Sequence, residues 1–256
     1  MKPLVCALSV LLATPALADD LIVTDSPVIQ SLVAQVSGTV PFALMPAGAD
    51  PHHFSLKPSQ LRQLSKADWL IWVGPNFSPW LDENTLKSLE DVTVLQLADH
   101  DAHDWLDPLI AADWSGRIAT ALGQTFDAAR FEQITSELAP ELEPLADVPL
   151  IVGHDAYGAF ASRFGLNIAG TISDSHATTP GARHLSQLRK LIENGAAACI
   201  VSDSHEIEPY VELVAAAGEV PVVELDLTGV GIEPGAEFYG ALMRSIAEQL
   251  TGCLNS

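Results

Sequence analysis

Three histidines stand at equal intervals along the chain, and each lies shortly after an apolar run. His52, His103 and His154 are 51 residues apart, and Asp226 directly follows a fourth apolar run. Imidazole nitrogens and carboxylate oxygens are among the ligands that zinc takes from proteins. Because no local motif such as His-x-x-x-His joins any two of these residues, only the fold can bring them together. The residue types therefore predict a divalent-metal site, while their spacing alone leaves its formation open.

The elements that must position these side chains follow an alternating pattern. Short apolar runs alternate with amphipathic stretches, as in a parallel sheet with crossover helices. In open α/β sheets, ligands bind beyond the carboxyl ends of strands, which is where the three histidines and Asp226 stand. The predicted strands are residues 21–24, 40–45, 69–73, 93–97, 150–152, 198–201 and 220–225.

The middle of the chain differs from both ends. Residues 108–146 have helical patterning and no convincing strand. The two groups of strands therefore predict an α/β fold of two similar lobes, residues 19–107 and 147–256, joined by a long helix. Each lobe is expected to contain a mainly parallel sheet flanked by helices.

The first eighteen residues, 1–18, predict an export signal and not part of the fold. Lys2 precedes a short apolar core, and Ala16-Leu17-Ala18 forms a small-x-small cleavage site, so the mature chain is expected to begin at Asp19. That apolar core is shorter than the roughly 20 residues that span a bilayer. Because no later segment is long and apolar enough either, we expect no membrane insertion.

The composition is acidic. Twelve basic residues against thirty-three acidic ones give a formal charge of −21, and hydrophobic residues make up 48% of the chain. Such a surface repels nucleic acid and anionic lipid and attracts cations. The hydrophobic content excludes a disordered chain.

Two cysteines, Cys199 and Cys253, remain after the expected cleavage. In an oxidising compartment they are expected to pair. The bridge would tie a C-terminal helix to the sheet, because Cys199 lies in an apolar run and Cys253 lies at the end of the last helical pattern.

The amino-acid sequence around the histidines resembles that of a known family. Residues 46–54 (PAGADPHHF), 103–108 (HDWLDP) and 154–160 (HDAYGAF), in this order, resemble the metal-binding (cluster A-I) periplasmic solute-binding proteins of ABC transporters. The resemblance covers essentially the whole mature chain and is strongest to the zinc-uptake branch. It implies a periplasmic monomer that captures zinc in a cleft between two lobes. Such a protein passes the ion to an importer permease in the inner membrane and performs no catalysis.

The resemblance also implies the ligands. His52, His103 and His154 match the family's histidine ligands, and Asp226 matches the carboxylate that closes the site, with His205 as the alternative. Three imidazoles with one carboxylate favour zinc, whereas manganese-binding relatives usually offer a carboxylate in place of His154. Manganese or another divalent metal remains the alternative cargo. Three other histidines are expected not to bind: His53 in a solvent-facing loop, His176 at the mouth of the site and His184 as a structural residue.

The chain departs from the family in the loop before His103. Zinc-uptake relatives often carry a long histidine-rich loop there, and here only residues 99–103 remain. A zinc-collecting role for the loop is therefore in doubt, although His100 and Asp101 could pass zinc inward. The helical stretch between the lobes also looks shorter than in the family.

A second function class is a zinc hydrolase, with three histidines and a water on the metal. Its general base would have to be Glu224 or Asp155. The sequence pattern favours Glu224 as a strand residue and Asp155 as a helix N-cap, which disfavours the enzyme.

Overall fold

The computed structural model describes residues 20–99, 101–175, 178–203 and 207–254. The strands are β1 Ile22–Thr24, β2 Phe42–Ala43, β3 Trp69–Trp72, β4 Thr93–Gln96, β5 Pro149–His154, β6 Asn167–Ser173, β7 Cys199–Ser202 and β8 Val222–Glu224. The helices are α1 Pro27–Ser37, α2 Pro58–Leu64, α3 Glu83–Lys87, α4 Pro108–Ala121, α5 Ala129–Leu142, α6 Gly158–Phe164, α7 Ala182–Glu193, α8 Glu208–Ala215 and α9 Phe238–Leu250. Within these residues, no helix is both long and apolar enough to cross a membrane.

The strands form two parallel sheets with the same internal order. The first sheet runs β2-β1-β3-β4 and the second β6-β5-β7-β8, and every pairing is parallel. In each sheet the chain starts at an inner strand, adds one strand on one side and then crosses to the other. The predicted α/β fold with two similar lobes is confirmed. The ligand-binding position of such a sheet lies at the carboxyl end of its first strand, where the order reverses.

Strand β6 was not expected from the sequence. Its residues, Asn-Ile-Ala-Gly-Thr-Ile-Ser, carry no continuous apolar run, and most of them are only partly buried. Gly170 is required within it, because a Cβ there would lie 2.6 Å from Cδ2 of Leu188 on the covering helix α7. At the other extreme, the predicted strand 40–45 is reduced to Phe42–Ala43.

The linking segment is two helices and not the single long helix expected. Helix α4 ends at Ala121, Gly123 takes a left-handed φ of 64°, and the Asp127 carboxylate accepts a hydrogen bond from the N–H of Ala129 at the start of α5. A left-handed glycine stops a helix and a side-chain oxygen starts one, so the chain turns back here. Apolar periodicity continues on both sides of the turn, which is why the pattern looked like one helix.

The C-terminal helix α9 joins the two ends of the chain. Ser31 on α1 donates a hydrogen bond to the carbonyl of Ala236 at 3.3 Å and accepts one from the N–H of Tyr239 at 3.0 Å. The hydroxyl of Tyr239 donates to the carbonyl of Trp105 at 2.9 Å. One hydrophobic core therefore runs through α1, α4, α5 and α9 and connects both lobes.

The predicted disulfide is confirmed: Cys199 at the start of β7 bonds Cys253, with their Cα atoms 5.6 Å apart. Helix α1 also begins and ends as its sequence indicates. The Ser26 hydroxyl accepts from the N–H of Ile29, and Gly38 ends the helix with a φ of 73°. Serine at the N-cap and glycine in a left-handed C-cap satisfy backbone groups that the helix itself leaves unpaired.

Asp25 is a fully buried carboxyl directly after β1. Its Oδ2 accepts hydrogen bonds of 2.9 Å from the N–H of Val73 and from the hydroxyl of Ser78. Burial raises the pKa of Asp25 from 3.8 to about 6, and these two hydrogen bonds only partly oppose that rise. The folded protein therefore holds a proton that the unfolded chain releases at lower pH.

The pH dependence of stability follows from this difference. The contribution of Asp25 is complete below its unfolded pKa of 3.8 and is lost as the pH rises through about 6. The loss amounts to about 3 kcal/mol. We expect Asp25→Asn to gain about that much stability relative to the wild type between pH 4 and pH 7. Urea unfolding of both proteins with a chelator present measures it, and a difference that does not change with pH would contradict it.

Candidate metal centre

Each of the three histidines lies at or after the carboxyl end of a strand, and two of them are held by the same kind of turn. His154 is the last residue of β5, the strand at which the order of the second sheet reverses. His52 and His103 lie in the loops after β2 and β4. In each loop the histidine N–H donates a 2.8 Å hydrogen bond to the aspartate two residues earlier, Asp50 or Asp101. This Asx turn is a local, sequence-encoded way to direct a side chain.

The three side chains converge on one point. The Nε2 atom of His103 lies 3.3 Å from Nε2 of His52 and 3.3 Å from Nε2 of His154. Among the described residues, these three form the group whose ligand atoms all lie within 4.8 Å of one another. Tetrahedral zinc, at about 2.0–2.1 Å from each nitrogen, requires nitrogens roughly 3.3 Å apart. The spacing therefore matches one shared zinc ion.

The orientation of the rings agrees with this spacing. The rings of His103 and His154 meet edge-on, at 73°, and those of His52 and His103 are tilted by 58°. Stacked rings would point their nitrogens in parallel directions, whereas these rings point theirs inward. His103 and His154 are buried, so an ion held between them would lose most of its hydration water.

The outer nitrogens of two rings face carboxylates. Nδ1 of His154 lies 3.0 Å from Oδ1 of Asp203, and Nδ1 of His103 lies 3.4 Å from Oδ1 of Asp101. Tyr157 donates its hydroxyl hydrogen to the other oxygen of Asp203. A proton on Nδ1 leaves the Nε2 lone pair free for a metal ion.

These contacts shift the two histidine pKa values in opposite directions. Burial lowers the pKa of His103, more than the nearby carboxylate of Asp101 raises it. Burial also lowers the pKa of His154. The hydrogen bond with Asp203 and the charge of Asp203 together raise it by more than burial lowers it, so the pKa of His154 is raised overall. A neutral His103 is suited to bind a metal, while at His154 the metal competes with a proton.

Asp226 lines the same cavity as the histidines but does not join their cluster. Its Oδ1 accepts hydrogen bonds from the N–H of Thr228 at 2.8 Å, the hydroxyl of Thr228 at 2.6 Å and the N–H of Gly229 at 3.0 Å. Its Oδ2 accepts from the N–H of Val230 at 2.6 Å. The carboxylate thus holds the loop 226–230, a role that the sequence did not indicate.

The cavity that contains the site has a volume of about 480 Å³ and is lined by residues of both lobes. The loop 226–230 reaches the first lobe, where the N–H of Gly48 donates a 2.9 Å hydrogen bond to Oγ1 of Thr228. Five carboxylates line the cavity, which favours entry of a cation. They are Asp50, Asp203, Glu208, Glu224 and Asp226.

The remaining candidates fall into two groups. His53 lies beside Asp50, and 45% of its side chain is exposed. His184 lies in α7, and its Nε2 is 2.6 Å from the carbonyl oxygen of Thr171. Both histidines therefore lie outside the cluster. Asp155 is exposed in a turn and is not the expected N-cap, because α6 begins later, at Gly158. The predictions for His100, His176, His205 and the export signal concern residues outside the described ones.

Sequence reasoning missed Asp203 and Tyr157. Asp203 follows β7, the neighbour of β5, and Tyr157 stands three residues after His154. The signal available was the position of Asp203 directly after an apolar run. Only the pairing of β7 with β5 turns that position into a contact.

Comparison with known proteins agrees with the geometry. Residues 22–253 match the family described as "ZnuA: Zinc-uptake complex component A periplasmic". The high-affinity zinc uptake system protein ZnuA of Paracoccus denitrificans is 29% identical, over 95% of each chain. The protein of the same description from Yersinia pestis is 27% identical, over 99% of this chain and 98% of its own.

Solved structures show the same fold at lower identity. The periplasmic zinc-binding protein TroA of Treponema pallidum superimposes with a TM-score of 0.73 at 19% identity, over 90% of this chain and 99% of its own. The laminin-binding protein Lmb of Streptococcus agalactiae, described as having adhesin and metal-transporting activity, gives 0.71 at 21% identity, over 90% and 98%. Because one family model spans almost the whole chain, this protein belongs to the ZnuA family of periplasmic zinc-uptake components.

Proposed function

We propose that this protein captures zinc in the periplasm and delivers it to an ABC-type importer in the inner membrane. The observation that carries the proposal is the convergence of three imidazoles, in which Nε2 of His103 lies 3.3 Å from Nε2 of each of the other two, as tetrahedral zinc requires. The names of the relatives, which are zinc-uptake proteins over nearly the full chain, support the same cargo. Zinc is thus a transported ligand, and no chemical step is needed.

His52, His103 and His154 are the proposed ligands, and Asp226 is the proposed fourth. Asp226 lines the same cavity, but its carboxylate must first give up hydrogen bonds to its own loop. A carboxylate in the fourth position partly neutralises the ion, and three neutral imidazoles favour zinc over manganese. Manganese or another divalent ion is the alternative cargo.

The role of Asp226 can be tested by substitution. We expect Asp226→Asn to lower zinc affinity by at least about tenfold, the lower limit for losing even an indirect partner of a metal site. Thr228→Val is the matched control, because it removes the loop hydrogen bond of the hydroxyl and its contact with Gly48 and leaves the carboxylate in place. Equal losses in the two variants would mean that Asp226 acts by holding its loop and does not touch zinc.

The proposed life cycle begins with export. Residues 1–18 direct the chain across the inner membrane, cleavage after Ala18 releases it, and the mature monomer binds one ion. Two lobes of residues 19–107 and 147–256, joined by residues 108–146, enclose the site. The acidic cavity draws the cation inward, and docking on the permease releases it.

The first experiment is metal analysis and competitive zinc titration of the purified mature protein. We expect one tightly bound zinc per chain and a gain of about 4 kcal/mol in the free energy of unfolding at 1,000 times Kd. His52→Ala should abolish that gain, while His53→Ala, its exposed neighbour, should keep it. Several loose sites of similar strength, or no change with His52→Ala, would overturn the proposal.

The same samples separate transport from catalysis. A zinc hydrolase of this chain would need a base at the metal, and of the two candidates, Glu224 and Asp155, Glu224 is the one that lines the cavity. We expect no zinc-dependent turnover of ester or phosphate substrates. Turnover that disappears in Glu224→Gln would establish the enzyme instead.

A further inference from the structure

Asp203 is a buried carboxylate that lies against the outer nitrogen of His154. Its side chain is 0% exposed, and Nδ1 of His154 is 3.0 Å from its carboxylate oxygens. The hydroxyl of Tyr157 donates to Oδ2. Burying a carboxylate is unfavourable unless donors compensate for the lost water. The fold therefore maintains a costly charge at one ligand of the candidate site.

The sheet brings these two residues together. Strands β5 and β7 are parallel neighbours in which Val152 pairs with Val201. Continuing that register by two residues sets His154 opposite Asp203, just beyond the end of β7. Gly153 leaves the room required, because a Cβ there would lie 2.3 Å from Cδ1 of Ile207 and 3.0 Å from Oδ1 of Asp203.

The hydrogen bond selects one form of the His154 ring. A carboxylate can only accept, so the ring proton stays on Nδ1 and the lone pair of Nε2 points at His103. Tyr157 occupies the second oxygen, which prevents the carboxylate from rotating away. Burial and the charge of Asp203 raise the pKa of Tyr157 well above 10.0, so that its hydroxyl remains a donor.

His103 has no comparable support from Asp101. The two are 3.4 Å apart, and the side chain of Asp101 is 47% exposed. Water screens an exposed charge and lets its side chain move, whereas a buried carboxylate acts at nearly full strength. Of these two histidines, His154 is the one whose ring is held from behind by a fixed charge.

We propose that Asp203, held by Tyr157, is the positioning residue for His154, and that this pair sets the zinc affinity of the site. The pair keeps the imidazole in the form that binds through Nε2 and adds negative charge behind it. The inference deepens the proposed zinc-binding function and rests on it.

Asp203→Asn tests the proposal with almost no change in size. Asparagine has one acceptor oxygen and one N–H donor group; because the Tyr157 hydroxyl donates to the oxygen position, the N–H group faces the ring of His154. A ring nitrogen facing that N–H must accept, which moves the ring proton to Nε2, the ligating atom. We expect zinc affinity to fall about 10- to 100-fold in Asp203→Asn, as for other outer partners of metal ligands. For Tyr157→Phe, which removes one hydrogen bond, we expect a loss of about fivefold.

Asp155→Asn is the matched control. Asp155 is an exposed carboxylate next to His154 in the chain, so the substitution removes the same charge without touching the ring. We expect a much smaller loss of zinc affinity than in Asp203→Asn, because water screens the exposed charge of Asp155. A loss in Asp155→Asn as large as in Asp203→Asn would overturn the proposal, because net charge alone would then explain both.

A second background separates positioning from general support of the fold. In His154→Ala, Asp203→Asn and Tyr157→Phe should cause no further loss of zinc affinity, because the ring they act through is gone. Losses of the same factor in both backgrounds would mean that the pair only supports the fold. Should Asp203→Asn fail to fold, Tyr157→Phe provides the same comparison.

The ring itself gives a direct readout. In ¹⁵N NMR of the metal-free wild type, the proton of neutral His154 should reside on Nδ1, and in Asp203→Asn it should shift towards Nε2. An unchanged proton position would overturn the proposal. If the wild type binds no zinc, the proposed function fails, while the NMR result still reports on the Asp203 contact.

Discussion

His103→Ala should lower the affinity for zinc more than any substitution outside the histidine cluster. The Nε2 of His103 is 3.3 Å from Nε2 of His52 and of His154, so the substitution removes the ligand that lies beside both of the others. Outer partners of metal ligands alone account for 10- to 100-fold in affinity, so we expect the loss of a direct ligand to exceed about 100-fold. Competition with a chromophoric chelator measures it.

The control for this prediction is a measurement of whether the variant keeps the wild-type fold. His103 lies in the loop after β4 and not within a strand or an α-helix. The variant should therefore retain the secondary structure of the wild type in chelator. An affinity within about threefold of the wild type, with the fold intact, would show that the three nitrogens do not hold one ion.

Removal of the disulfide should produce the largest change in stability. Cys199 and Cys253 are both buried and are separated by 54 residues. Closing a loop of that length removes entropy from the unfolded chain worth about 4 kcal/mol. We expect the double substitution Cys199→Ala and Cys253→Ala to lower the free energy of unfolding by about that amount in urea.

The position of the bridge predicts that zinc binding survives its loss. Cys199 begins β7, whereas Asp203 follows the other end of the strand, roughly 13 Å away at strand spacing. Zinc affinity should stay close to that of the wild type. Reduction of the wild-type protein should reproduce the stability loss, and identical unfolding midpoints with and without reductant would refute the prediction.

The two lobes supply the three histidines unequally. His52 and His103 come from loops of the first sheet, and His154 comes from the second, so the site forms only when the lobes face each other. Helix α9 and the shared core hold them in that arrangement. Binding at such a junction depends on the relative position of the lobes.

Much of the fold is legible in the sequence because its signals are local. Apolar runs predict β3, β4, β5 and β7, the Ser26-Pro27 start predicts α1, and the absence of strands in 108–146 predicts a helical link. Strand β6 is different, because Gly170 and polar neighbours break its apolar run and the strand forms through its pairing with β5. The division of the link into two helices depends on one left-handed glycine.

The sequence by itself determined the types of the site residues, their order after strands and the two cysteines. The tertiary structure decided which of them meet. It brought three imidazoles to one point and placed Asp203 behind His154. It also placed the carboxylate of Asp226 in hydrogen bonds with the backbone of its own loop. The physical reason is that a turn or a helix end depends on neighbours in the chain. A contact across 49 residues depends on strand register, and no local pattern encodes that register.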